Sequence, residues 1–194
     1  MNITETLSRL KEGNARFVAD KLDGKLQDSN RRHSLTGGQQ PYAIILSCAD
    51  SRVVPELAFD AGLGELFVVR VAGNIANTSS MASIEYAVAH CGSKVIVVLG
   101  HESCGAVTAA IGGGDNGYNL NHLLSHVTPA IAASDEGASV NDVVKTNAQL
   151  TAKELVSRSS IIGDAVGKGD VKIVSAYYNL DSGKVDFLEE AATA

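Results

Sequence analysis

Three short segments of this chain, YAIILSC over residues 42–48, LFVVRVAG over 66–73 and KVIVVLG over 94–100, are apolar almost throughout and rich in β-branched side chains. A strand with one wet face alternates apolar and polar residues, whereas a strand covered on both faces does not, so these runs call for a parallel sheet between two helical layers. Between the second and third runs, Met81, Ile84, Val88 and Cys91 fall on one helical stripe and Gly92 supplies a stop. Strand, crossover helix and parallel strand is the economical reading. The expected fold class is α/β: a central, mostly parallel β-sheet of four to five strands flanked by helices, with an N-terminal helical arm.

Leu7, Leu10, Phe17 and Val18 give that arm its helical spacing, Asn2 with Glu5 forms a capping-box pattern, and Gly13 is expected to break or weaken the helix. Residues 21–41 are polar and read as a surface loop. After a GGGDNG turn, helical patterns run over residues 120–132 and from Asn141 to about Lys168. VKIVSAYYNL, a DSG turn and KVDFL then read as a fourth strand and a fifth at an edge.

A chain of 194 residues with 45% hydrophobic content fits one domain with an ample core. Its net charge of −6, with 16 scattered Lys and Arg, gives no footprint for nucleic acid. The N-terminus lacks the pattern of a secretory signal, no run reaches the roughly 18 apolar residues of a membrane helix, and the three cysteines suit reduced thiols. A cytoplasmic protein is expected.

Two of the apolar runs end in chemistry. CADSR follows the first, with Cys48, Asp50 and Arg52 at alternate positions, and HESC follows the third, with His101 and Cys104 three apart. In doubly wound sheets ligands bind beyond the carboxyl ends of the strands, so if these strands are neighbours the four groups meet there. Two thiolates and an imidazole are three firm zinc ligands, leaving a fourth position for water or for Asp50. His101 and Cys104 are expected together at a helix start, facing the same way. Arg52 explains why Asp50 need not close the site: a guanidinium two residues on holds the carboxylate in a bidentate pair, away from the metal. Two thiolates leave less positive charge on zinc than three imidazoles would, so activity is expected to climb from neutral to alkaline pH.

The other candidates read more blandly. Cys91 continues a core stripe. His122 and His126 have i, i+4 spacing but lack the glutamate of a zinc-protease motif and lie beside Leu120, Leu123, Leu124 and Val127. His90 and His33 read as surface positions, and Gly112 to Gly114 lack the lysine of a phosphate loop.

CADSR followed about fifty residues later by HESC resembles the β-class carbonic anhydrases, and so do LKEGNARFV, GELFVVRVAGN, IEYAV and IVSAYYNLDSGKVDFL. The resemblance covers most of the chain and implies a single domain over 1–194, its 1–35 arm packing on a partner subunit. It implies Zn(2+), one per subunit, held by Cys48, His101 and Cys104, with Asp50 as a fourth ligand in a closed form. Asp50 and Arg52 are the implied catalytic dyad, and Asp50 accepts a hydrogen bond from the zinc-bound hydroxide that attacks carbon dioxide. The implied reaction is reversible hydration of carbon dioxide to bicarbonate and a proton.

Gln39, Phe67, Ala72, Tyr86 and the backbone N–H of Gly105 match substrate-binding positions, Tyr86 reaching in from the adjacent subunit, and a homodimer or tetramer follows. Where many members read R-N-x-A-N, this chain has RVAGN, so Val71 and Gly73 alter the pocket wall. With no tryptophan in the chain, Ile45 stands at the position that marks the bicarbonate-inhibited subgroup, which implies the open form, with Arg52 holding Asp50 off the zinc, and weak bicarbonate regulation. The ligands alone also suit hydrolysis of carbonyl sulfide or carbon disulfide, a non-catalytic zinc site, or a Cys104 nucleophile activated by His101.

Overall fold

A computed structural model describes residues 1–188 of the chain; residues 189–194 of the expected 1–194 domain lie outside it. Helix α1, Ile3–Val18, carries the expected capping box, with the Asn2 side chain accepting from the Glu5 N–H and the Glu5 carboxylate accepting from the Asn2 N–H. Gly13 does not break it. The helix continues through it to Val18, and because a Cβ at Gly13 would overlap the Phe59 carbonyl, this glycine serves close packing. Nor is residues 21–41 all loop: Asp28 caps a short helix α2, Ser29–Ser34.

Strands β1, Ala43–Ser47; β2, Leu66–Arg70; β3, Val95–His101; β4, Lys172–Tyr178; and β5, Val185–Phe187, form one sheet in the order β2-β1-β3-β4-β5. The first four are parallel and β5 is antiparallel at the edge. Helix α3, Pro55–Ala58, lies between β1 and β2, and the crossover from β2 to β3 is α4, Thr78–Cys91, capped by Asn77 and stopped by Gly92 at φ 69°. After β3 come α5, Gly105–Gly112; α6, Tyr118–Ser125; α7, Thr128–Ala133; α8, Val140–Arg158; and α9, Ser160–Gly167. The helix expected over 120–132 divides where Pro129 sits in the first turn of α7. The one expected from Asn141 to about Lys168 divides at Ser159, whose hydroxyl accepts from the Ile162 N–H and donates to Glu85.

Alternate strand residues explain the unbroken apolar runs. Ala43, Ile45, Val95, Val97 and Leu99 point into a core shared with Leu10 of α1, while Ile44, Leu46, Ile96 and Val98 point into one shared with Ile84, Leu155 and Ile162. Both faces are dry, as the sequence demands. The helix of the 1–35 arm is thus seated on its own chain through Leu10, which is fully buried. A third core lies beyond the carboxyl ends of the strands, where Cys48 and Cys104 pack with Ile75, Val127, Val143 and Val144.

Candidate metal centre

Because β1 and β3 are neighbours, with Ser47 opposite Leu99, the residues that follow β1 and close β3 come together. Cys48 is the first residue beyond β1. His101 is the last of β3 and Cys104 the N-cap of α5, so the two do not share a helix as expected; a tight turn through Ser103, at φ 52°, carries the chain from one to the other. One ligand atom from each of Cys48, His101 and Cys104 lies within 4.8 Å of the others, and all three residues are buried. Among the described residues this is the one such group of three.

The chemistry of the set fits a metal. The Cys48 and Cys104 sulfurs are 4.0 Å apart, close to the separation of about 3.8 Å that follows for two thiolates on one tetrahedral zinc at ~2.3 Å. His101 Nδ1 lies 2.9 Å from the Glu102 carbonyl, which only accepts, so Nδ1 holds the proton and Nε2 keeps its lone pair. That Nε2 is buried and has no hydrogen-bond partner among the described residues. The Cys104 thiol, followed by His101 and the Gly73 N–H, pulls Cys48 down against its burial, while the resulting charge on Cys48 together with burial pushes Cys104 up. The pair alone therefore gives up one proton readily and resists losing the second; a dication held by both sulfurs would favour the second thiolate as well.

Asp50 stands beside this group, Oδ2 lying 3.8 Å from His101 Nε2. Arg52 holds it in a fork, Nε to Oδ1 at 2.9 Å and a terminal nitrogen to Oδ2 at 2.7 Å, with the Arg52 N–H adding a third bond to Oδ1. This fork keeps the carboxyl well below the usual carboxylate range, burial opposing it. The expected bidentate pair is present.

Residue reading missed the groups that hold the loops. Arg70, at the end of β2, donates to the carbonyls of Cys48 at 3.0 Å and Asp50 at 2.6 Å. The Gly73 N–H points at Cys48 Sγ from 3.4 Å, and Gly73 at φ 72° adopts a turn that suits glycine. Arg70 was visible only as a charge ending an apolar run.

The remaining sequence candidates are scattered. Gly105 opens α5, so its N–H is among those without a partner inside the helix. Ala72 starts the short turn Ala72–Asn74 beyond β2, half-buried. Phe67 is half-buried on β2, and its ring meets Tyr86, an exposed residue of α4 that also stacks on His90. Gln39 is exposed ahead of β1, at the opposite end of that strand from Cys48. Within one chain it is not brought to the metal ligands. His122 and His126 meet edge-to-face on and just after α6.

Fold and site together define an α/β protein with a Cys-His-Cys metal group at the carboxyl edge of a parallel sheet. A family model described as carbonic anhydrase matches residues 43–185. Carbonic anhydrase 2 of Mycobacterium tuberculosis is 40% identical over 181 residues, covering 90% of this chain and 87% of its own. The carbonic anhydrase of Mycolicibacterium smegmatis is 39% identical over 183 residues, covering 91% and 89%. Among solved structures, Coccomyxa β-carbonic anhydrase in complex with acetazolamide superposes with a TM-score of 0.75 at 30% identity, over 94% of this chain and 86% of its own. A tetrameric β-carbonic anhydrase of Sordaria macrospora does so at 0.71 and 25%, over 95% and 97%. The chain belongs to the β-class carbonic anhydrase family.

Proposed function

We propose that this enzyme catalyses the zinc-dependent, reversible hydration of carbon dioxide to bicarbonate and a proton, with Cys48, His101 and Cys104 as the metal ligands. The observation that carries the reading is the bare His101 Nε2 facing two sulfurs 4.0 Å apart, beside an acid that its own arginine restrains. When bound, zinc supplies Lewis acidity, lowering the pKa of a water from about 15.7 towards 7.

The chain's own residues do the rest. Arg52 engages both Asp50 oxygens and so would hold the carboxylate back from ligating the metal while leaving it ionised. Asp50, beside His101 Nε2, accepts the hydrogen bond that orients the attacking oxygen. Ala72 and Val71, just beyond β2, offer apolar wall for carbon dioxide, and Phe67 does so across a subunit boundary together with the Tyr86 it meets. The N–H of Gly105, without a partner inside its helix, donates to an oxygen of the developing bicarbonate. Arg70 fixes the carbonyls on either side of Ala49, so Cys48 and Asp50 keep their relative position.

Gln39 and Tyr86 act in this reading across a subunit boundary, which supports a homodimer or tetramer. β2 fits that role: it is a sheet edge of sequence LFVVR whose first four residues are only half-buried. Among the described residues no helix is long and apolar enough to cross a membrane, and the free thiols suit the cytoplasm.

Stopped-flow hydration of carbon dioxide by zinc-loaded protein at pH 7 and 9, beside turnover of carbonyl sulfide, tests the assignment. Fast hydration that climbs with pH supports it, whereas a zinc-loaded protein inert to carbon dioxide and active on carbonyl sulfide reassigns the substrate. Tyr86→Phe should lower the rate with zinc retained, and unchanged kinetics would remove Tyr86 from the site.

A further inference from the structure

Helix α8 lies outside the metal group, yet two of its asparagines reach turns beside the thiolates: the one after β2 whose Gly73 N–H meets Cys48, and the one that leads into Cys104. Asn147, 2% exposed, donates through Nδ2 to the Gly73 carbonyl at 2.8 Å, and the N–H of the same Gly73 points at Cys48 Sγ. Asn141, near the start of α8, accepts from the Ser103 N–H at 2.9 Å, and Ser103 directly precedes Cys104. Both contacted residues have positive φ, Gly73 at 72° and Ser103 at 52°, and for serine that conformation is disfavoured unless something holds it. α8 itself is anchored by residues further along it, through Leu155 in the core on one face of the sheet and through Arg158 to the Ala76 carbonyl.

Building on the metal reading above, we propose that α8 is a brace for the metal centre, in which Asn147 and Asn141 are positioning residues: Asn147 sets the hydrogen bond to the Cys48 sulfur through Gly73, and Asn141 holds the Ser103 turn that aims Cys104. Neither asparagine touches the metal or the substrate. Hydrogen bonds from outside the ligand set orient thiolates and tune their charge donation, and losing such a partner costs about 10–100-fold in metal affinity. Without Asn147 the Gly73 turn loses its outer anchor and the N–H drifts from the sulfur; without Asn141 the turn from His101 to Cys104 loses the acceptor that holds Ser103.

The test uses the full chain loaded with cobalt(II), reading the sulfur-to-cobalt charge-transfer absorption and the rate at which excess chelator removes the metal. Asn147→Ala and Asn141→Ala are expected to release cobalt about 10–100-fold faster than wild type, with an altered charge-transfer band, at temperatures well below unfolding. Asn141→Asp keeps the acceptor and is expected to restore the wild-type release rate. If Asn147→Ala does not fold, the two Asn141 variants decide. Folded alanine variants with wild-type band and release rate, even with a lowered Tm, overturn the brace and leave the metal site standing. A wild type that takes up no cobalt overturns the metal reading and the brace with it.

Discussion

Under α1, Asn14 is buried and makes all its bonds within the chain, donating to the Ala58 and Gly183 carbonyls at 2.9 Å each and accepting from the Val185 N–H at 2.8 Å. At the carboxyl edge of β1 and β3, His101 is buried just as deeply, and its Nε2 has no partner. The contrast extends to neighbours. Near α1, Asp60 is met by Arg16 at 2.5 Å, and Glu65 by Arg9 and the Gly62 N–H. Among the described residues, the two buried side-chain polar atoms without a partner are His101 Nε2 and Asn74 Nδ2, one at the end of β3 and the other just beyond β2. An unpaired polar group inside a protein costs about 1–3 kcal/mol, so it persists where a ligand completes it. Burial of polar atoms alone does not mark a site; burial left incomplete does.

The largest expected effect breaks the open side of this comparison. Cys48→Ala or Cys104→Ala should abolish zinc retention and bring carbon dioxide hydration to the uncatalysed rate, with zinc content measured beside stopped-flow kinetics. Asp50→Asn and Arg52→Ala should keep zinc while lowering the rate by about 10²–10⁴-fold. For Asp50 the sign is fixed by its partner: removing the guanidinium removes the largest influence favouring the anion, so in Arg52→Ala the Asp50 carboxyl should titrate higher than in the wild type, seen by carbon-13 NMR.

On the closed side, the expected losses are in stability. Asn14→Ala strands two carbonyls and an N–H and should cost about 3 kcal/mol, a fall in Tm of about 6–12 °C, with the rate per zinc unchanged at 25 °C. The smallest effect is the sharpest. In an open helix Gly→Ala gains up to about 1 kcal/mol, but Gly13→Ala should lose about 1–3 kcal/mol instead, because the new methyl meets the Phe59 carbonyl. Thermal melts of the two variants separate these predictions.

What could be read from the sequence was whatever depends on neighbours along the chain. The unbroken apolar runs specified the parallel sheet, Asn2 with Glu5 specified a helix start, and the Asp50–Arg52 fork spans only two residues. The metal group was also legible, because it needs only that two strands with chemistry at their ends lie side by side. What was not legible depends on distant partners. Gly13 looked like a helix breaker until Phe59 came against it, and Asn147 meets Gly73 across 74 positions of sequence. The turn between His101 and Cys104 rests on Ser103 at positive φ, which the residue type does not announce.

The central claim is that the unpartnered His101 Nε2, with the Cys48 and Cys104 sulfurs beside it, is completed by one zinc, which makes the chain an active hydratase. It is tested most directly by stripping the protein of metal and titrating zinc back while following carbon dioxide hydration by stopped flow at pH 9. The account predicts activity that rises linearly and stops at one zinc per chain, with no recovery in Cys48→Ala. Full activity in metal-free protein, or one zinc bound per chain with no hydration, would contradict it.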